Sequence, residues 1–590
     1  MSTFSGYFSR RDTAPSERFI TDSGSSAPEV TRDGQVTLLM DGWLANRRRL
    51  REQLTSQGHS FASERDSELA LACYERHGIE AFSMLDGAFG LAIHDGRTAE
   101  LILVRDRVGQ VPVFYLEEPD RVLFASDLTA VAQGASSSLP MSQQAVEAYL
   151  QLTYIPTPLT IHEGVYKLLP GSFLRVGPDG VSAPTTYWDI DYNDSNQIQD
   201  RGRCQQMVRD ALVESVDQAL ETSGNVGALL SGGIDSTIIT GIAATVLGKK
   251  LPTFSISFTD RRYDESARAT LASDFHKTNH QLIPLDFDEP LAELAQLLDN
   301  LDQPYADSSY LPATMVARAA KQEVDTVVTG DAGDELFAGY SKYLIGHYSD
   351  KFNKVPRWVS GPAIKGANLA LPVGSQLRRK INKVADSAQL PPFEQRERLM
   401  SLGFTRDQLQ TLLVRPPHGV ASKMAEGYYN HFADNIDEMR RALYLDFKVV
   451  LDGDMMTKGQ NVGRASGLRI NIPMLSHQVM ETAAQIPSDY KISGGVTKAI
   501  LRETFSDLIP ESLLHASKQG FSMPLDAWLR HGLRSSLLDM LSEERIRDQG
   551  LLHYPAVRRL LDEHLSGKAD HSSKLWALYV LIYWLDAHGR

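Results

Sequence analysis

Cysteine is nearly absent. Cys73 and Cys204 are the two in 590 residues, which excludes a disulfide framework and a cysteine-rich metal site. No run of 18 apolar residues occurs, so no segment reads as a membrane-spanning helix. Residues 1–8 lack the charged start and apolar core of a signal peptide, and the expected location is cytoplasmic. Glycine, proline and serine are not in excess and no repeat or low-complexity tract stands out, which excludes fibrous and disordered classes. An excess of positive charge is also lacking. The formal net charge is −14 and the basic run Arg47-Arg48-Arg49 is short, so neither nucleic acid nor an anionic membrane is an expected partner.

What is present is a globular composition, 42% hydrophobic and 23% charged, on a chain long enough for two or three domains. Short strand-like runs near residues 36–40, 90–94, 101–104, 113–115, 122–125 and 171–176, with one helix over 67–77, predict a mixed first domain rich in antiparallel sheet. The Asp- and Asn-rich stretch 189–200 is the expected boundary, which divides the chain into 1–195 and 196–590. Beyond it the pattern becomes helix (204–222), strand (226–230), helix (237–246), strand (253–258), helix (265–275) and a third strand (324–329). Such alternation predicts a parallel sheet with helices on both faces. Residues 380–590 read as largely helical.

Two loops carry the chemistry. The strand 226–230 runs into Ser231-Gly232-Gly233-Ile234-Asp235-Ser236 and then a helix. Backbone N–H groups and a helix N-terminus there can surround an anion, and the glycines let phosphate oxygens approach the main chain. This is the SGGxDS pyrophosphatase loop. It lacks the lysine with which a Walker loop reaches the γ-phosphate, so it implies cleavage of ATP between the α and β phosphates. A second, acidic loop, Thr329-Gly330-Asp331-Ala332-Gly333-Asp334-Glu335, follows the third strand. Both loops are expected at the carboxyl ends of parallel strands, where doubly wound sheets bind ligands. Carboxylates from two such loops suit Mg²⁺ bridging to pyrophosphate, which assigns Asp235 and Asp334 to the metal.

At this point the chain resembles the type B asparagine synthetase family. The likeness is carried by the phosphate loop, Asp264-Glu265, the segment 331–340, Thr497-Lys498-Ala499-Ile500-Leu501-Arg502 and Ser517-Lys518-Gln519-Gly520-Phe521. In the first half it is carried by the segments 85–90, Arg105-Asp106-Arg107-Val108-Gly109 and 154–158. The resemblance implies an α/β two-domain chain. Its first domain would be an Ntn-hydrolase-like α+β sandwich, and its second a PP-loop (adenine-nucleotide α-hydrolase-like) doubly wound sheet with a helical extension. It further implies ATP and Mg²⁺ as cofactors. Nucleotide contacts would fall at Leu230, Ser231, Gly232, Gly233, Asp235, Ser236, Ser257, Thr329 and Gly330. Lys498 and Lys518 would be catalytic cations that neutralise the pyrophosphate, and Asp331 would position or deprotonate the amine.

The chain also departs from that family. A glutaminase of this kind needs a cysteine after the initiator methionine, and here that residue is Ser2. A hydroxyl beside an N-terminal amine is a workable nucleophile, so Ser2 alone leaves hydrolysis open. The family's Arg-Gly-Pro-Asp segment has no counterpart between Arg10 and Val36. Its Asn-Gly-Glu run is Asp41-Gly42-Trp43, and its Gly-Ser-Asp-Glu run is represented by residues 64–68. Without the arginine clamp and the oxyanion-hole asparagine, nucleophile and glutamine cannot be aligned. Downstream, Gly459-Gln460-Asn461-Val462-Gly463 and Arg469 through Ser476 replace the family's charged acceptor runs.

The expected protein is therefore an AMP-forming amide ligase with an inactive glutaminase-like domain serving as scaffold or substrate platform. In this it resembles β-lactam synthetases and lasso-peptide cyclases. Its expected partners are a small-molecule or peptide substrate with a carboxylate and an amine, and proteins of a biosynthetic route. Oligomeric state stays open, with a homodimer among the states allowed. The alternatives are an asparagine synthetase fed by free ammonia and a nucleotide-binding pseudoenzyme.

Overall fold

Side chains that alternate with a period of two must point to opposite faces of a strand, and the first half of the chain uses both faces. The computed structural model describes residues 3–9, 19–21, 27–31, 33–221, 224–258, 264–285, 291–344, 390–432, 436–516 and 523–588. One antiparallel sheet has the spatial order Phe19–Thr21, Ser5–Ser9, Arg121–Ala125, Phe114–Glu117, Val165–Lys167. A second, seven-stranded sheet runs Gly180–Val181, Ser172–Gly177, Glu100–Arg105, Gly87–Asp95, Val36–Leu44, Glu29–Val30, with Thr185–Thr186 beside Ser172–Gly177. In Glu100–Arg105, Leu101 and Leu103 enter the layer between the sheets, where Phe4, Phe8 and Phe124 meet them. Ile102 and Val104 face the helices Arg47–Ser56 and Asp66–His77. The outer face of the smaller sheet packs on the helices Leu128–Gly134 and Gln143–Leu152. The result is helix, sheet, sheet, helix: the strand pattern implied the antiparallel sheets, and the family resemblance implied the sandwich.

The second half holds a parallel sheet of five strands in the order Asn279–Leu285, Pro252–Phe258, Val226–Leu229, Thr326–Val328, Arg469–Asn471. The first strand in sequence lies in the middle, and the chain winds outward to one side before crossing to the other. Phe254, Ile256 and Phe258 face one core, with Leu311, Val316 and Ala320 of the helix Tyr310–Lys321. Ala228, Leu230 and Val328 face the other, with the helices Arg201–Leu220 and Ile234–Gly241. Both faces are thus covered by helices, as parallel sheets require. The chain is mixed α/β.

The structure departs from or adds to the sequence reading at several points, among them the edge strand Asn279–Leu285, which that reading did not single out. The helix expected from residue 237 begins at Ile234, because Gly233 ends the extended loop, and it closes with a π turn over Ile242–Val246. Arg469–Asn471 is a fifth strand, too short to show a period of its own. The polar stretch 189–200 is docked onto the protein. The buried guanidinium of Arg440 donates to the carbonyls of Tyr192 (2.7 Å) and Asn193 (3.2 Å), and Asp189 accepts from Tyr444 (2.7 Å) and Lys448 (3.0 Å). Trp188, Ile190 and Tyr192, interleaved with the acidic residues, anchor it in the core.

The two halves are also joined by a charged cap. Glu147, 2% exposed, accepts from the backbone N–H groups of His418, Gly419 (2.6 Å) and Val420 (3.2 Å) at the start of the helix Val420–Tyr429. A carboxylate at a helix N-terminus satisfies orphan donors and complements the helix dipole. Replacing Glu147 by Gln is expected to cost about 1–3 kcal/mol and to lower the thermal midpoint, measured by calorimetry.

Candidate active site

Strands Val226–Leu229 and Thr326–Val328 are neighbours at the point where the winding direction of the sheet reverses. Loops leaving the carboxyl ends of such strands diverge and open a crevice, and the two chemical loops leave from these two ends. Leu230 continues the sheet by donating its N–H to Phe254 O at 2.9 Å. Its side chain is buried in the core, so only its backbone faces the crevice. The phosphate loop is held by its own hydroxyls: Ser231 Oγ and Ser236 Oγ lie 3.0 Å apart, Gly233 N donates to Ser231 Oγ at 3.3 Å, and Ser236 Oγ donates to Gly233 O at 3.2 Å. Ser257 sits near the carboxyl end of the adjacent strand Pro252–Phe258. Thr329 donates its N–H to Asn471 O (3.0 Å) and its hydroxyl to Asp331 Oδ2 (2.9 Å).

Backbone approach is close enough to need glycine. A Cβ on Gly330 would collide with the backbone N of Ser236, and one on Gly339 would collide with both Asp334 and Lys498. The acidic loop therefore lies against the phosphate loop without intervening side chains.

The convergence point is Lys498. Its ammonium, 5% exposed by residue, forms ion pairs with Asp235 and with Asp334 Oδ1, the latter at 2.6 Å. Burial by itself lowers an ammonium pKa, but the two carboxylates outweigh it and hold Lys498 above its ordinary value. The residue adopts a left-handed φ of +54°, as do Ala332 (+70°) and Ala338 (+55°) in the facing loop. Non-glycine residues in this region are strained, and here the strain brings three distant segments to one point. Two carboxylates already sharing one cation form a donor set that fits Mg²⁺. Lys518 and Ser2 lie outside the described residues.

A second charged cluster was not singled out in the sequence. Lys458 Nζ lies 3.3 Å from Asp307 Oδ2 and 3.3 Å from Ser309 Oγ, and it also lies in the electrostatic field of Asp331 and Asp454. Tyr305 donates its hydroxyl to Asp454 Oδ1 at 2.8 Å. Burial, followed by the nearby Asp307 carboxylate, raises Asp454 to about 7. Burial would also raise Asp307, but Lys458 and the donors of Ser309 bring it below its ordinary value. Three carboxylates around one ammonium leave an excess of negative charge, suited to an amine. The segment Leu451 to Gln460 carried the signal in its two aspartates and one lysine, but residues 307 and 454 are far apart in sequence and only the fold joins them.

Comparison with known proteins follows the same division. Residues 207–586 match the Asparagine synthase family, and residues 17–188 match the Glutamine amidotransferase domain family. The chain belongs to the asparagine synthase family. It is 27% identical over 559 residues to Asparagine synthetase (glutamine-hydrolyzing) 1 of Bacillus subtilis, covering 94% of this chain and 86% of that one. A Mycobacterium tuberculosis protein carrying the same glutamine-hydrolyzing asparagine synthetase name in provisional form is 30% identical over 561 residues, covering 93% and 84%. Amidase chry2 of Gibberella zeae is 23% identical over 588 residues, covering 92% and 85%. As a member of the asparagine synthase family the protein is an ATP-dependent carbon–nitrogen ligase.

Gly330→Ala is expected to weaken Mg·ATP binding at least about tenfold, because the methyl group meets the Ser236 backbone; isothermal calorimetry measures this. Gly427, in a helix with nothing within 4 Å of a Cβ, is the control. There, Gly→Ala is expected to leave affinity unchanged and to stabilise by about 0.5–1 kcal/mol.

Proposed function

We propose that this protein adenylates a substrate carboxylate and joins it to an amine, without hydrolysing glutamine. The observation that carries the reading is Lys498 held between Asp235 and Asp334 where the two loops meet. In the reaction a carboxylate oxygen attacks the α-phosphorus of ATP, the α–β bridge breaks and pyrophosphate leaves. An amine nitrogen then attacks the acyl carbon, AMP departs and the nitrogen loses a proton. Mg²⁺, held by Asp235 and Asp334, would supply charge neutralisation for the pyrophosphate. Lys498, released from the carboxylates, would add its charge to the same leaving group, with Lys518 as a further cation. Backbone groups of Leu230 to Gly233 and of Thr329 to Gly330, with Ser231, Ser236 and Ser257, would line the nucleotide in a PP-loop arrangement. Asp331 would orient the amine, and Asp454, poised near neutrality, would take its proton.

Loss of glutamine hydrolysis has support beyond Ser2. Trp43 stands where the family carries a glutamate. Its ring lies 5.2 Å from the guanidinium of Arg469, another replaced position, contributed by the synthetase half. Both line a cleft between the halves, together with Arg47 and Asp66, which pair with each other at 3.3 Å. Substitutions in the two halves thus face one another where a glutamine pocket would open. We place the working division at 1–195 and 196–590. The favoured substrate bears its own carboxylate and amine, so that the product is a lactam, macrolactam or related amide.

Carboxylate-dependent ATP–pyrophosphate exchange over a panel of amino-bearing acids tests the reading. AMP and amide are expected from such an acid, with no glutamate released from glutamine. Asparagine formed from aspartate and ammonium at a comparable rate would overturn it. Asp454→Asn is expected to reduce amide formation by roughly 10²–10⁴-fold while exchange persists. Because the base must be ionised, the amide-forming rate of the unmutated enzyme is expected to fall as pH drops through about 7.

A further inference from the structure

The motif Arg105-Asp106-Arg107-Val108-Gly109 belongs to the first half, yet its leading residue also reaches into the second. Arg105, 0% exposed, donates to the carbonyls of Val111 (3.0 Å), Leu168 (2.8 Å) and Gly109 (2.8 Å), and to Asp452 Oδ1 at 2.8 Å. Asp452 is 3% exposed at its side chain, and Lys167 lies in the same buried group. Burial would raise the Asp452 carboxyl, but Arg105 and Lys167 hold it below its ordinary value. Gly109 has a φ of +75°, and a Cβ there would strike the Arg105 guanidinium and come within 2.8 Å of Asp452 Oδ1. The joint is built tightly around one ion pair.

Asp452 stands on a single run of helix: Glu438–Asp446, then a π-helical stretch Phe447–Met456, then Thr457–Ser466. One set of its residues grips the first half. Besides Asp452, Gln460 Nε2 donates to the carbonyls of Gly109 (2.9 Å) and Gln110 (3.1 Å), and Arg464 reaches Asp127 at 3.5 Å. An interleaved set faces the amine cluster, with Asp454 on Tyr305 and Lys458 on Asp307. A π-helix closes i→i+5 hydrogen bonds and is intrinsically less favourable than an α-helix. Relaxation of this stretch to α-helical spacing would rotate Asp454 and Lys458 relative to Asp452.

We propose that the first half is a positioning device for the amide-forming step. Arg105, with Gln460 as the second grip, fixes the register of the π-helical stretch and so sets where Asp454 and Lys458 stand. This deepens the proposed function and rests on reading the Asp331, Asp454 and Lys458 cluster as the amine site. Asp452 and Arg105 touch no substrate, and are positioning residues.

Hydrogen exchange on the full-length Asp452→Asn, Gln460→Ala and Arg105→Lys variants tests it without needing the substrate. Amides of residues 447–458 are expected to exchange at least tenfold faster in Asp452→Asn and Gln460→Ala, with strand Val226–Leu229 and Mg·ATP affinity unchanged. Arg105→Lys, which keeps the charge, is expected to retain part of the protection that Asp452→Asn loses. With an acid that supports pyrophosphate exchange and hydroxylamine as the amine, the ratio of hydroxamate to exchange is expected to fall at least tenfold. Exchange unchanged over 447–458, or accelerated uniformly along the chain, would overturn the proposal. If Asp452→Asn does not fold, Gln460→Ala, at the partly buried rim, carries the test. Failure of every acid to support pyrophosphate exchange in the unmutated protein would refute the proposed function, while the amide-exchange result would still decide the register claim.

Discussion

A buried ammonium between two carboxylates is the contact on which the rest of the site depends. Charges taken out of water are tolerated only when closely paired, and Lys498, Asp235 and Asp334 can pair only if three segments far apart in sequence meet within hydrogen-bond reach. The sheet order delivers the two aspartates side by side, since their parent strands are neighbours at the reversal of winding. Glycines at 330 and 339 remove the bulk that would hold the loops apart. Left-handed residues at 332, 338 and 498 complete the approach. Each device is unfavourable alone, and their coincidence at one place marks the crevice as functional.

The two halves of the chain differ in what they retain. The second belongs to the asparagine synthase family over residues 207–586 and carries the two facing loops with Lys498 between them. The first keeps the layered sandwich, and some of its buried charged residues are turned towards its neighbour. Arg105, Lys167 and Glu147 all spend their charge on the second half. Trp43 and Arg469 meet across the same boundary. Interior polar groups that reach another domain tie the two folds together, because removing one partner of a buried pair costs far more than the pair contributes.

Much of this was legible in the amino-acid order. Short strand-like runs between turns marked the strands of the sandwich, and the alternation of helix and strand marked the parallel sheet. The phosphate loop stood out because its Ser, Gly and Asp residues are contiguous, so local chemistry and sequence coincide. The cluster around Lys458 did not stand out. Asp307, Asp331 and Asp454 come from three separate segments; Asp331 stood out in its acidic loop, but Asp307 and Asp454 each alone read as a surface aspartate. The fifth strand, Arg469–Asn471, was hidden for a related reason: three residues have no measurable period, and the strand exists because Thr326–Val328 offers it an open edge.

The sequence by itself determined the class of fold and the family, since these depend on local patterns and contiguous motifs. Tertiary structure decided that Asp307, Asp454 and Lys458 share a site and that Lys498, 263 residues from Asp235, pairs with it directly, because ion pairs depend on distance in space. It also decided that the helix over residues 438–466 serves two halves at once. The π-helical widening that lets neighbouring aspartates face different partners is a packing outcome, and no propensity in that segment announces it.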